Sequence, residues 1–227
     1  MKENKKNMVL VDLLSKIEKR EAVVGIIGLG YVGLPLAIHF AQEGFSVIGF
    51  DVDVRKIDML LRGESYIKHI RMEQINEKIE EGNLEVTIDF ERLRETDCIL
   101  ICVPTPLTDK MEPDLSYLLD TTKSIAENLR IGQIIILEST TYPGTTEEML
   151  MPGFETDSMK VGQDYFLAFS PEREDPGNSK YDASNIPKVV GGVTTGCLEA
   201  ACALYSCITQ VVPVSSTKAA ELTKILE

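Results

Sequence analysis

The chain contains no tryptophan, only two histidines, and no Cys-x-x-Cys pair among its five cysteines. With His39 and His69 as the whole imidazole supply, metal-centred or Ser-His-Asp chemistry has little raw material. An odd number of cysteines without paired spacing argues against a disulfide framework or a zinc site, so no metal is expected. Positive charge is also short: 23 basic against 36 acidic residues leave a formal charge of -13. That balance disfavours nucleic acid or an anionic membrane as a partner, and any phosphate ligand would need local positive features such as helix N-termini. No stretch approaches the roughly 20 apolar residues of a membrane span, and Met1 to Lys6 lead into a charged amphipathic stretch rather than a signal core. A cytoplasmic protein is expected. Repeats and low-complexity tracts are missing as well.

What is present is a 227-residue chain with 44% hydrophobic residues, enough for a sizeable core. It is organised around Ala22 to Phe40, where an apolar run ends in Gly28-Leu-Gly30-Tyr31-Val32-Gly33 and a helical pattern follows. Gly28 permits a tight strand-to-helix turn, Gly30 lets the backbone approach a pyrophosphate, and Gly33 lets the helix pack closely on the strand. The phosphates would then meet the positive N-terminus of the helix. A second apolar run, Phe45 to Phe50, ends in Asp51, at the roughly 20-residue spacing of an acid that accepts ribose hydroxyls. A carboxylate there repels a 2′-phosphate and favours NAD over NADP, a preference that Arg55 and Lys56 weaken slightly.

Alternating patterns predict an α/β fold, a doubly wound, mostly parallel Rossmann-type sheet with helices on both faces. Residues 1–20 read as an amphipathic helical appendage, 21–214 as the dinucleotide-binding domain, and 215–227 as the start of a further helix. Expected strands are Ala22–Gly28, Ser46–Asp51, Leu84–Ile88, Asp97–Val103, Gln133–Leu137, Tyr165–Phe169, Lys188–Gly191 and Gln210–Val214. Helices are expected at Tyr31–Glu43, Val54–Arg62, Phe90–Glu95, Asp114–Leu129, Thr145–Met151 and Thr195–Cys207. Tyr66–Glu81 reads as a polar, helix-like lid or surface helix, and Asn178–Ile186 as a loop. Pro104 and Pro106 turn the chain outward and present Thr105 at a carboxyl end of the sheet, where ligands of open α/β folds bind.

Five stretches in order resemble the nucleotide-sugar 6-dehydrogenases, the UDP-glucose/GDP-mannose dehydrogenase family: Gly28 to Pro35, Val103-Pro-Thr-Pro106, Glu138 to Gly144, Ser170-Pro-Glu-Arg173 and Glu221-Leu-Thr-Lys224. Ser170 to Arg173 followed by Pro176-Gly177-Asn178 is most similar to members acting on UDP-N-acetylated hexosamines, particularly UDP-N-acetylglucosamine. The resemblance implies oxidation of a sugar C6 alcohol to the uronate by NAD in two hydride transfers, through a covalent thiohemiacetal, in polysaccharide biosynthesis. It implies that Gly28, Gly30, Tyr31, Val32 and Gly33 hold the cofactor, that Asp51 binds the adenosine ribose with Lys56 nearby, and that Val103, Thr105 and Thr140 lie against the cofactor. Thr140 would also orient water, Glu172 would serve acid/base work, and Lys224 would steady negative charge on the substrate oxygen.

Each has a plainer role beside it. Glu172 suits a solvated loop, Lys224 could pair with Glu221 one helical turn back, and Thr140 could cap the helix after Tyr142-Pro-Gly. The family's Gly-rich nucleophilic cysteine motif does not occur, and packing is expected for all five cysteines. The chain is therefore expected to be the NAD-binding part of a larger enzyme, inactive alone, whose full length dimerises through central helices beyond Glu227. The alternatives are a stand-alone NAD-binding regulatory module, a UDP-N-acetylmannosamine or UDP-glucose enzyme, and a different two-domain dehydrogenase of the 6-phosphogluconate or hydroxyacid type, against which Ser170 to Arg173 argue.

Overall fold

The computed structural model describes residues 7–67, 70, 72–108, 113–172 and 187–226. His69, Arg173, Pro176 to Asn178 and the expected loop to Ile186 lie outside the described residues.

Four central strands explain the architecture: β1 (Val23–Ile27), β4 (Cys98–Ile101), β5 (Ile134–Leu137) and β6 (Phe166–Phe169). Their near-continuous apolar character suits strands covered on both faces. Alternate side chains divide between two cores. Val24, Ile26, Leu100, Ile136 and Phe166 point into one, while Ile27, Ile101, Ile135, Leu137 and Phe169 point into the other. Each such side chain contributes about 1.5–3 kcal/mol on burial. A single substitution of Ile136 by a charged residue would leave that charge without water inside the first core.

The other strands are β2 (Ser46–Phe50), β3 (Leu84–Thr87), β7 (Lys188–Gly192) and β8 (Val211–Pro213), giving the order β3-β2-β1-β4-β5-β6-β7-β8. All pairings are parallel except β6 with β7. The first core lies under α1 (Met8–Glu18), α2 (Gly33–Gln42), α4 (Met72–Glu80) and α7 (Thr195–Tyr205). The second lies under α5 (Ser116–Asn128), α6 (Met151–Phe154) and α8 (Thr217–Leu226), while α3 (Val54–Leu61) follows β2. The doubly wound fold expected from the sequence is the fold observed.

Two segments differ in detail. Thr145–Met151 is not a plain α-helix: residues Thr146–Leu150 form a π-helical turn that runs into α6. Pro152 has no N–H to donate, and its ring crowds the carbonyl four residues back, so the turn before it widens. Within Tyr66–Glu81 the described helix is Met72–Glu80, and ahead of it Ser65 Oγ accepts from the Ile67 N–H in a tight turn. Ile67 and Ile75 are buried against the first core, so this surface helix is firmly seated.

Both ends of the described chain are tied in. Asn7 caps α1 at the Val9 N–H and also donates to the carbonyls of Gly162 and Gln163. Leu13 and Ile17 then enter the first core. At the other end, the buried Glu221 of α8 accepts from the N–H groups of Gly144 and Thr146 and from the Thr146 hydroxyl.

Candidate active site

Where the parallel strands end, their loops enclose a cleft of about 840 Å³. A cleft of this size at the carboxyl edge is where an open α/β sheet places a ligand. Its first wall is the turn after β1. Gly28 has φ +94°, and a Cβ there would stand 2.7 Å from the Cys102 carbonyl oxygen. A Cβ on Gly33 would stand 1.9 Å from the Gly28 carbonyl oxygen, so helix and turn touch backbone to backbone. Gly30 differs: no atom lies within 4 Å of the position its Cβ would take. The three glycines thus have three separate reasons, and Gly30 leaves open space on the cleft side. Tyr31 and Val32 complete this wall, with Tyr31 exposed, whereas Gly33 sits behind it.

At the end of β2, the buried Asp51 is held by three donors. Oδ2 accepts from the Leu29 N–H at 2.9 Å and from Lys56 Nζ at 2.7 Å, and Oδ1 accepts from the Asp53 N–H at 2.9 Å. The carboxylate is therefore fixed before any ligand arrives, and it lines the cleft together with Lys56. Tyr66 closes this corner. Its hydroxyl donates to the Leu29 carbonyl, its ring lies 5.9 Å from Lys56 Nζ, and burial beside the negative charge of Asp51 pushes the phenol well above its usual range.

The next walls are stitched together. Thr105 Oγ1 donates to the Thr140 carbonyl at 2.7 Å, and Ser139 Oγ donates to the Val103 carbonyl at 2.7 Å. The loops leaving β4 and β5 are thus one unit, presenting Val103, Thr105 and Thr140 to the cleft. Thr140 is exposed, and the hydroxyl that bonds within the turn before the π-helical segment is that of Thr145, to the Tyr142 carbonyl.

Glu172 lines the cleft just past β6, with only 15% of its side chain exposed. It is not on a solvated loop. Lys224 of α8 donates to the Glu172 carbonyl at 2.6 Å, with its carboxylate 3.7 Å away, so the lysine turns to Glu172 while Glu221 is engaged elsewhere. Burial holds the Glu172 carboxyl above its usual range; the charges of Lys224 and Lys188 oppose this and that of Glu138 adds to it. Lys224 itself stands behind Glu172 rather than on the cleft wall.

Three participants escaped the sequence reading. Glu138, fully buried at the end of β5, lines the cleft and accepts from Lys188 Nζ at 2.5 Å and from the Tyr205 hydroxyl. Its position at the end of an apolar strand was a usable signal. Lys188 and Tyr205 had none, since nothing local shows that β7 runs against its neighbour. The cysteines sit largely as expected, with Cys98 and Cys197 buried. Cys102 differs: it lies just past β4, lines the cleft, and would have its Cβ 3.2 Å from a Cβ on Gly33. Among the described residues no cluster of three or more metal-ligating side chains occurs, and no helix is long and apolar enough to cross a membrane.

Comparison with known proteins agrees with this geometry. Residues 22–209 match the family model described as UDP-glucose/GDP-mannose dehydrogenase family, NAD binding domain. A UDP-N-acetyl-D-glucosamine 6-dehydrogenase of Pseudomonas aeruginosa is 36% identical over 211 residues, covering 92% of this chain and 49% of that protein. A UDP-N-acetyl-D-mannosamine dehydrogenase of Pyrococcus horikoshii is 34% identical over 90% of this chain and 49% of its own length. The solved structure of the UDP-N-acetyl-mannosamine dehydrogenase Cap5O of Staphylococcus aureus superposes with a TM-score of 0.83 at 32% identity, over 90% of this chain and 50% of that one. The chain spans about half the length of the relatives it matches.

Proposed function

The chain belongs to the UDP-glucose/GDP-mannose dehydrogenase family, as its NAD-binding domain, and from that premise we propose that it is the cofactor half of a nucleotide-sugar 6-dehydrogenase acting on UDP-N-acetylglucosamine. The observation that carries the reading is one cleft lined both by the turn from Gly28 to Val32 with Asp51 and by Glu172, which Lys224 backs from behind. The open space at Gly30 and the fixed carboxylate of Asp51 suit a dinucleotide. When bound, NAD supplies the hydride acceptor.

The chain's own residues then have distinct tasks. The turn and the N-terminus of α2 hold the pyrophosphate, Asp51 accepts the ribose hydroxyls, and Lys56 keeps Asp51 oriented. Val103, Thr105 and Thr140 shape the middle of the cleft, and Thr140, whose side chain is exposed there, orients water. Glu172, buried and more reluctant to ionise than an ordinary glutamate, is suited to take and return a proton. Lys224 steadies negative charge developing on the substrate oxygen. Within the appendage, α1 serves as a packing helix, 21–214 serve as the cofactor domain, and α8 starts the link to the rest of a dimeric enzyme.

Alone, the chain binds NAD without turnover. Calorimetry on the purified chain is expected to give saturable NAD binding, and no NADH is expected to form with UDP-N-acetylglucosamine. Absent binding, or appreciable NAD reduction by the chain unaided, would overturn the reading. The second reading, UDP-N-acetylmannosamine as substrate, is favoured by the Pyrococcus and Staphylococcus relatives. A panel of both UDP-sugars and UDP-glucose on the complete enzyme separates them by kcat/KM.

A further inference from the structure

The antiparallel strand β7 brings its first residue to the carboxyl edge of the sheet, where a parallel strand brings its last. Its first residue, Lys188, stands at the edge where β5 and β6 end. The ladder between β6 and β7 ends at Phe169 and Gly191, three residues short of Glu172 on one strand and of Lys188 on the other, so both residues lie at this same edge. The ammonium is 13% exposed and is pinned by Glu138, which is itself fully buried and receives the Tyr205 hydroxyl. Lys188 Nζ also lies 4.9 Å from the centre of the Tyr205 ring.

We propose that the Glu138–Lys188 pair is a positioning device for Glu172, setting the balance of charge around that carboxyl. A buried ion pair adds little net stability over apolar packing, so its place beside a buried carboxyl on the same cleft calls for another account. Among the described residues, Lys224 of α8 contacts Glu172, Glu138 at the end of β5 lines the same cleft as Glu172, and Lys188 of β7 is paired to Glu138, with Tyr205 of α7 behind it. The two members of the pair act on Glu172 in opposite directions, Lys188 favouring the carboxylate and Glu138 the acid. Neither is a catalytic residue. The inference rests on the proposed acid/base role of Glu172, but its test does not.

The test is a ¹³C-carboxyl NMR titration of Glu172 in this chain, its signal assigned by loss in Glu172→Gln. Glu138→Gln is expected to lower the Glu172 midpoint and Lys188→Met to raise it, each on the order of one pH unit. The double variant is expected to return towards the native midpoint, and Glu138→Asp to restore it. A purely structural pair would move neither midpoint or both the same way, and either outcome overturns the proposal. Should Glu138→Gln fail to fold, with Lys188 stranded, an unmoved midpoint in Lys188→Met overturns it alone. NAD calorimetry on the same samples reads the dehydrogenase assignment separately: opposite shifts without NAD binding would sink the assignment and spare the pair.

Discussion

Lys188 Nζ lies 2.5 Å from Glu138 Oε2, and this contact joins the first residue of one strand to the residue just past the end of another. Such a meeting requires antiparallel direction. Had β7 run parallel to β6, Lys188 would stand at the far edge of the sheet, and the fully buried Glu138 would lack its cation.

The glycines of the first turn should respond differently to the same change. Gly33→Ala sets a Cβ 1.9 Å from a carbonyl oxygen, so it is expected to cost about 2–4 kcal/mol and to abolish NAD binding. Gly30→Ala meets no atom, so the melting temperature should hold within a few degrees while NAD affinity falls about tenfold or more. Paired thermal melts and calorimetry check this, and equal destabilisation of both variants would count against it.

Lys56 is expected to govern cofactor choice through Asp51, 2.7 Å away. Removing it in Lys56→Ala leaves the carboxylate without its ammonium and removes the nearest charge able to meet a 2′-phosphate. NADP affinity should then drop by about tenfold while NAD affinity falls only a few-fold, since a hydrogen bond to a charged group is worth about 1.5–3 kcal/mol. Titrations with both dinucleotides measure the ratio; an unchanged ratio would refute the role.

Burial holds Glu172 above its usual range, so the folded chain binds its proton more tightly than the unfolded chain. This contribution favours folding below the ordinary glutamate value and is lost as pH rises through the raised folded value. The neutral Glu172→Gln should therefore match native stability in acid and exceed it at neutral and higher pH. Denaturant midpoints across that range test the sign, and a variant less stable at neutral pH would contradict it.

Glu221 anchors α8 through three donors, from Gly144 and Thr146. Glu221→Ala leaves two buried N–H groups unpaired and is expected to cost about 2–5 kcal/mol. Hydrogen exchange should show the amides of α8 losing protection ahead of the sheet. Uniform loss across the chain would mean that α8 is not separately held by this residue.

How far the site was legible depended on the range of the signal. Gly28, Asp51 and Thr105 were placed by neighbours a few residues away, through turn chemistry and the ends of apolar runs. Lys224 was read either as the cation that steadies charge on a substrate oxygen or as an ordinary pair with Glu221, one helical turn back. The contact 52 residues away was chosen because Glu221 was already occupied by the turn at Gly144. Cys102, read as a packed strand residue, reaches the cleft because β4 stops at Ile101 before the prolines.

Alternation of apolar runs and helical periods, the glycine turn and the acid 23 residues beyond Gly28 determined the doubly wound sheet and its dinucleotide end from sequence alone. These signals are local: each strand buried on both faces and each tight turn writes its demand into adjacent residues. The direction of β7, and with it the meeting of Glu138, Lys188 and Tyr205 beside Glu172, was decided only by tertiary structure. A strand reads the same in either direction, and a buried charge finds its partner through packing between segments 50 and more residues apart.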